Sequence, residues 1–275
     1  MNQGVLYLMH GTSPAARLVV SAWSLRKWYA GRIAVVSTDA AAEDVCRRIA
    51  TDSHLGIEHI PLRLQRTTQR NWGTVIKSMA NQLSPFKKSV FLDCDTLVRG
   101  DIAALFDLPS DEHIAVTRFS NWSSTQPIVR RRIRSWMDIC PELVPPALQF
   151  GIAINTGTFA FSSQSRVFEK WFSLASAGAD KFIPDEIALQ LLVPHYPTVV
   201  FDQRYNCSAK FGAPRDEKTV IVHFHGKKHI GRYGALWTEA FEEIASENIA
   251  GVRDWAPAGD HRLQAYLEHS ARMSS

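Results

Sequence analysis

Apolar positions change rhythm several times along the first hundred residues. Val5 to Met9 is an uninterrupted apolar run, Ala15 to Tyr29 repeats apolar side chains at helical spacing, and Arg32 to Thr38 is strand-like again. This is a βαβ opening. Ile57 to Leu62 reads as a further strand, Thr74 to Leu83 as a helix, and Ser89 to Leu92 as a buried strand that runs straight into Asp93. Alternation of this kind predicts an α/β fold with a mostly parallel sheet flanked by helices. In the second half the rhythm shifts. Ile114 to Phe119, Gly151 to Ala153 and Thr158 to Phe161 are strand-like, and Pro127 to Ile139 is helical, which predicts antiparallel additions to the sheet. A helix over Pro184 to Leu192, strands over Val199 to Asp202 and Thr219 to Phe224, and a helical region from Leu236 complete the chain. We read residues 1–230 as one domain and 231–275 as a helical extension packed on it.

Composition narrows the function little. A chain of 275 residues with 45% hydrophobic and 21% charged positions is ordinary for a globular protein with a real core, so wholesale disorder is excluded. The formal charge of +4 suits an anionic small molecule but is too small to argue for nucleic acid. The sharpest cluster, Arg130, Arg131, Arg132 and Arg134, reads either as a solvated helix face or as a contact for an anionic partner. Cys46, Cys94, Cys140 and Cys207 lie far apart and form neither a disulfide framework nor a paired zinc spacing, which points to a reducing, cytoplasmic setting. The opening MNQGVLYLMHGTSP lacks a basic region and a cleavage site, and no apolar run reaches the length of a membrane span.

Ligands of such sheets gather beyond the carboxyl ends of the strands, so His10, Gly11 and Thr12, Thr38 and Asp39, and Asp93 to Thr96 should share one rim. The segment SVFLDCDTLVRGD brings two carboxylates to that rim one residue apart. Side chains alternate along a strand, so Asp93 and Asp95 can point the same way while Cys94 points back into the protein. Two converging carboxylates repel unless a proton or cation lies between them, and a hard divalent ion, Mn2+ or Mg2+, completed by substrate phosphates resolves the conflict. The plainer alternative is that both acids end a strand and cap the Thr96 to Leu105 region.

Leu92, Asp93, Cys94, Asp95, Thr96, Leu97 and Val98 resemble the L-D-A-D-T-L-V strand end of glycogenin-like, galactosyltransferase-like glycosyltransferases of the GT-A fold. Further pieces occur in the same order. Lys77 precedes this strand where such enzymes carry a basic residue near the donor, and Asn155, Thr156 and Gly157 are similar to an N-S-G stretch. Asp185 and Glu186 stand at a D-Q pair, and Val222 to Gly226 resembles V-H-F-x-G. The resemblance spans about Val5 to Lys228.

It implies transfer of a hexose from a nucleoside diphosphate sugar, UDP-sugar favoured, to an acceptor hydroxyl with retention of configuration. The ion would be held by Asp93, Asp95 and the imidazole of the H-F-x-G segment, which is His223. On alternation alone His223 and His225 share a face and either could reach the ion. Gly226, Lys227 and Lys228 would approach the diphosphate, although the usual K-P-W ending is absent. His10, Gly11 and Thr12 stand where the family contacts the base and ribose. Asp185, Glu186 and Asn155 are the catalytic candidates. Glutamate in place of glutamine offers a nucleophile or an electrostatic partner for a developing oxocarbenium ion. Pro184, Asp185 and Glu186 also make a good helix start, the competing reading. Trp72 and Trp122 are candidates for stacking on sugar or for packing.

Three other functions compete. A haloacid-dehalogenase-type phosphatase also uses a strand followed by D-x-D and Thr, but its nucleophile follows the first strand, whereas Asp93 comes much later. A sugar nucleotidyltransferase needs a glycine-rich first loop, and GTSPAAR has too few glycines and a proline that removes one amide. A non-catalytic sugar-nucleotide-binding protein would keep the metal site without turnover.

Overall fold

The computed structural model describes residues 2–62, 71–119, 122–209, 216–224, 230–247 and 249–255, with backbone alone for 230–235, 238 and 254. In chain order the elements are β1 (Gln3–Met9), α1 (Ala15–Arg26), β2 (Arg32–Ser37), α2 (Ala40–Ala50), β3 (Ile57–Pro61), α3 (Trp72–Val75) and, after a 3-10 turn Ile76–Met79, α4 (Ala80–Leu83). There follow β4 (Lys88–Leu92), β5 (Thr96–Val98), β6 (Ile114–Arg118), α5 (Pro127–Arg134), α6 (Val144–Gln149), β7 (Ile154–Ser162), α7 (Val167–Ala177) and α8 (Pro184–Leu192). The chain ends with β8 (Thr198–Phe201), β9 (Cys207–Ser208), β10 (Ile221–His223), α9 (Ile230–Ser246) and α10 (Val252–Trp255).

Seven strands form a sheet in the order β3-β2-β1-β4-β7-β6-β8, and a second sheet runs β5-β10-β9. β2 with β3, β1 with β4 and β6 with β8 are parallel, whereas β7 runs antiparallel to both β4 and β6. The mixed α/β class with antiparallel additions in the second half is the one expected. Among the described residues no helix is long and apolar enough to cross a membrane.

The chain divides into two compact units, Met1–Leu6 with Gln65–Leu92 and Ile102–Asn206, and Tyr7–Leu64 with Asp93–Asp101 and Cys207–Ser275. In the first, all nine residues of β7 are buried, and Phe159 stacks on Phe91 at 4.6 Å and meets Trp171 edge-on at 5.4 Å. Aromatic pairs in these geometries contribute beyond the area they bury. All nine residues of α8 are buried too, including Asp185, Glu186 and Gln190. Polar groups there need partners. Gln190 finds them in the backbone, accepting from the Ile154 N–H at 2.9 Å and donating to the Ile152 carbonyl at 3.0 Å.

In the second unit α1 presents two serines to β5. Ser24 Oγ accepts from the Val98 N–H at 2.9 Å, and Ser21 Oγ lies 2.7 Å from Thr96 Oγ1 and 2.9 Å from the Tyr7 hydroxyl. This buried hydroxyl chain ties β5 to α1.

Five sequence expectations change. Thr74 to Leu83 is not one helix: Ser78 donates to the Val75 carbonyl at 2.6 Å, a local bond that competes with the helical ladder, and the chain passes through the 3-10 turn. The helix from Pro127 stops at Arg134 rather than Ile139, where Ser135 turns its hydroxyl back to the Arg132 carbonyl at 2.7 Å. Gly151 to Ala153 is not strand, because Gly151 takes a left-handed φ of 80° and β7 starts only at Ile154. Thr219 to Phe224 shortens to Ile221–His223, and the last long helix starts at Ile230 rather than Leu236.

Candidate active site

Asp93 closes the apolar run of β4, and a turn rather than continued strand carries the chain to Asp95. Thr96 fastens that turn, donating from its N–H at 3.2 Å and its hydroxyl at 2.8 Å to the Asp93 carbonyl. Cys94 points inward as expected, its thiol 3.4 Å from the Leu8 carbonyl, and burial pushes its ionisation far up, so it is inert at neutral pH. β10 then pairs antiparallel with β5, setting His223 opposite Thr96, and the Phe224 N–H donates to the Asp95 carbonyl at 2.9 Å.

The result is a cluster. His223 Nε2 lies 3.2 Å from Asp95 Oδ1 and 3.6 Å from Asp93 Oδ2, and one ligand atom from each of the three residues lies within 4.8 Å of the others. His223 is 4% exposed. Two carboxylates and an imidazole suit a divalent ion such as Mn2+ or Mg2+, with oxygen positions left for substrate. Arg17, from α1, places Nη1 4.0 Å from Asp95 Oδ2 and offsets part of the acidic charge.

The first-strand rim is organised by Asp39. Its Oδ1 caps α2 by accepting from the Ala42 N–H at 2.9 Å, and its Oδ2 accepts from the Gly11 N–H at 2.6 Å and lies 3.1 Å from His10 Nδ1. Burial works against ionisation here, but the N–H groups of Ala42 and Gly11 and the His10 ring outweigh it, and the Asp39 carboxyl is held below its usual range. Gly11 has a φ of 67°, a conformation that favours glycine. Thr12 turns the chain into α1, its carbonyl accepting from the Ala15 N–H at 3.1 Å.

In the first unit the acidic pair opens α8, where the positive end of the helix dipole favours it. Asp185 Oδ2 accepts from the Thr156 hydroxyl at 2.7 Å and lies 3.4 Å from Lys77 Nζ. Glu186 Oε2 accepts from the Asn155 amide at 2.6 Å, and Oε1 lies 4.0 Å from Arg132 Nη1. Asn155 is itself held, its Oδ1 accepting from Asn206 Nδ2 at 2.7 Å and from the Gly157 N–H at 2.9 Å. Burial, and then the Asp185 charge, push the Glu186 carboxyl up to about 7 against the opposing pull of Arg132, the Asn155 amide and Lys77. Just before the helix, Ile183 sits at φ 45° and ψ 63°, left-handed geometry that is strained for a β-branched residue and stands directly before a proline. Strain of this kind persists only where the surroundings hold it.

Lys77, Asn155, Asp185 and Glu186 therefore converge, and so do Asp93, Asp95 and His223. His10, Gly11 and Thr12 gather around Asp39. His225, Gly226, Lys227 and Lys228 lie outside the described residues. Trp72 packs edge-on to Phe172 at 6.4 Å, whereas Trp122 meets Phe119 and the Arg132 guanidinium. Arg17 and Asn206 escaped the sequence reading, whereas Asp39 was placed on the rim and Arg132 within the arginine cluster without a partner for either. For Arg132 a faint signal existed, since it adjoins Ile133 on the flank of the buried Val129 and Ile133 stripe. For Arg17 and Asn206 the sequence carries none, because their partners lie far away in the chain.

No protein-family model matches the sequence, and no curated protein matches it. Solved structures do. The galactosyltransferase LgtC, in complex with donor and acceptor sugar analogs, superposes with a TM-score of 0.60 at 14% identity, covering 87% of this chain and 95% of that one. An active-site glutamine-to-glutamate mutant of LgtC gives 0.61 at 17% identity over 89% and 95% of the two chains. Mouse xyloside xylosyltransferase 1 gives 0.55 at 14% identity over 81% and 97%. With its mixed seven-stranded sheet and flanking helices, this chain has the GT-A fold of these glycosyltransferases.

Proposed function

We propose that the protein is a metal-dependent glycosyltransferase that moves a hexose from a nucleoside diphosphate sugar, UDP-sugar favoured, to an acceptor hydroxyl with retention of configuration. The observation that carries this reading is the convergence of Asp93, Asp95 and His223 from segments far apart in sequence. A bound Mn2+ or Mg2+ would supply Lewis acidity to the departing diphosphate. Asp93, Asp95 and His223 would hold it, and His10, Gly11 and Thr12, on the rim set by Asp39, would contact the nucleoside. Gly226, Lys227 and Lys228 would approach the diphosphate. Asp185, fixed by Thr156 and Lys77, would orient sugar hydroxyls. Asn155 would hold the Glu186 carboxylate toward the charge developing on the sugar, as electrostatic partner or as nucleophile. The resemblance to glycogenin-like enzymes and the sugar analogs bound by LgtC support the same assignment. Holding the acceptor hydroxyl close to the anomeric carbon accounts for much of the rate in such a reaction.

Thermal-shift screening tests the reading directly. A UDP-sugar with Mn2+ should raise the melting temperature, and Asp95→Ala should abolish that gain, since a ligand stabilises only in proportion to its binding of the native state. Turnover of phosphate monoesters without any requirement for an acceptor hydroxyl would replace the proposal with a phosphatase. Metal-dependent donor hydrolysis at a slow rate would dismiss a purely binding role.

A further inference from the structure

The four arginines of α5 are not equivalent. Arg130, Arg131 and Arg134 make no ion pair among the described residues, whereas Arg132 is drawn toward α8, 4.0 Å from Glu186 Oε1. Its guanidinium carbon lies 4.8 Å from the ring centre of Phe182 and 5.7 Å from that of Trp122. Both distances fall within cation-π range, and a planar, weakly hydrated guanidinium suits such a position better than an ammonium. Phe182 is 64% exposed, an unusual place for a large apolar ring, and it directly precedes the left-handed Ile183. The strained backbone thus sets a ring against the cation at the threshold of the acidic pair.

Glu186 has little other positive charge to lean on. Lys77 is engaged by Asp185, and Asn155 is neutral. A buried carboxylate without a counter-ion is strongly disfavoured.

We propose that Arg132, braced between Trp122 and Phe182, is a positioning residue that holds the Glu186 side chain aimed and in its carboxylate form during sugar transfer. This rests on the transferase function proposed for the chain. The ionisable groups acting on Glu186 are Asp185 of its own helix, Arg132 of α5 and Lys77 of the 3-10 turn. Of these, Arg132 alone is a cation not already paired with Asp185. Its removal raises the pH at which Glu186 ionises.

A thermal-unfolding cycle across pH reads the pair without substrate. At pH 9, Arg132→Met should lower the melting temperature more in the Glu186 protein than in the Glu186→Gln protein, by about 2 to 4 °C for a coupling near 1 kcal/mol. At pH 5.5, where Glu186 is protonated, the difference should close. Equal losses in both backgrounds at pH 9 would overturn the pairing. In a transfer assay, the acid limb of kcat/KM should move up by about a pH unit in Arg132→Met and return part of the way in Arg132→Lys, and an unmoved limb would overturn the positioning role. Absence of sugar transfer by the unsubstituted protein, with the unfolding cycle as expected, would overturn the catalytic assignment while leaving the ion pair in place.

Discussion

Glu186 carries its carboxyl into a place where 9% of the residue meets water, with Asp185 beside it, and both circumstances favour the protonated form. Its folded-state value of about 7 stands above the roughly 4.3 expected of an unfolded glutamate. Between those two pH values the folded chain binds a proton that the unfolded chain has released, so stability falls as pH rises through this window and levels off above it. Glu186→Gln removes the titration while keeping an oxygen for the Asn155 amide. The variant should therefore melt above the wild type at pH 8.5, with the gap closing toward pH 4.5. Fluorescence-monitored unfolding across that range checks it, and a gap independent of pH would mean that Glu186 does not titrate inside the window. The same ionisation bears on chemistry: a group that acts as a carboxylate loses activity on the acid side of about 7, the limb that Arg132 is expected to set.

Helix α2 is held at its start by a single side chain. Asp39 caps the helix and also receives the Gly11 N–H, so one carboxylate fixes both a helix start and the turn after β1. Asp39→Ala should cost about 1 to 2 kcal/mol, and Asp39→Asn should recover much of it because asparagine caps nearly as well. Chemical denaturation of both variants decides the matter, and equal loss would show that charge rather than capping prevails. How far such elements can be read in advance depends on where their partners lie. The run into Asp93 was legible because a buried strand ending in acids is a local pattern. That the two aspartates converge was legible too, but the cause was not, since a turn fastened by Thr96 replaces strand alternation. Serines concealed more: Ser78 and Ser135 bend back on carbonyls inside apparently continuous helices. Helices α2, α6 and α7 went unread, as did the three-residue β5, whose place is set by Ser21 and Ser24 on a distant helix. Which of four neighbouring arginines turns inward depends on Phe182 and Glu186, about fifty residues further on, and local spacing does not carry that information.

At 14 to 17% identity to solved glycosyltransferases over most of the chain, what the structures share is the fold, the path of the chain. The Asp93–Asp95–His223 cluster depends on that path, since Asp93 and Asp95 precede His223 by more than a hundred residues and meet it through the β5–β10 ladder. An ion shared by the three would link these segments in the folded state and would have no comparable site in the unfolded chain, so its binding free energy would add to folding. Mn2+ alone, without nucleotide, should raise the melting temperature. At a hundredfold excess over its dissociation constant the gain is about 2.7 kcal/mol, several degrees for a chain of this size. Chelator should reverse the gain, and His223→Ala should remove it. Glu186→Gln, outside the ligand set, should retain it in full. That contrast separates occupation of the cluster from general stabilisation by salt, because a nonspecific effect would raise all three proteins alike and leave Asp93, Asp95 and His223 as a structural knot with no ion to hold.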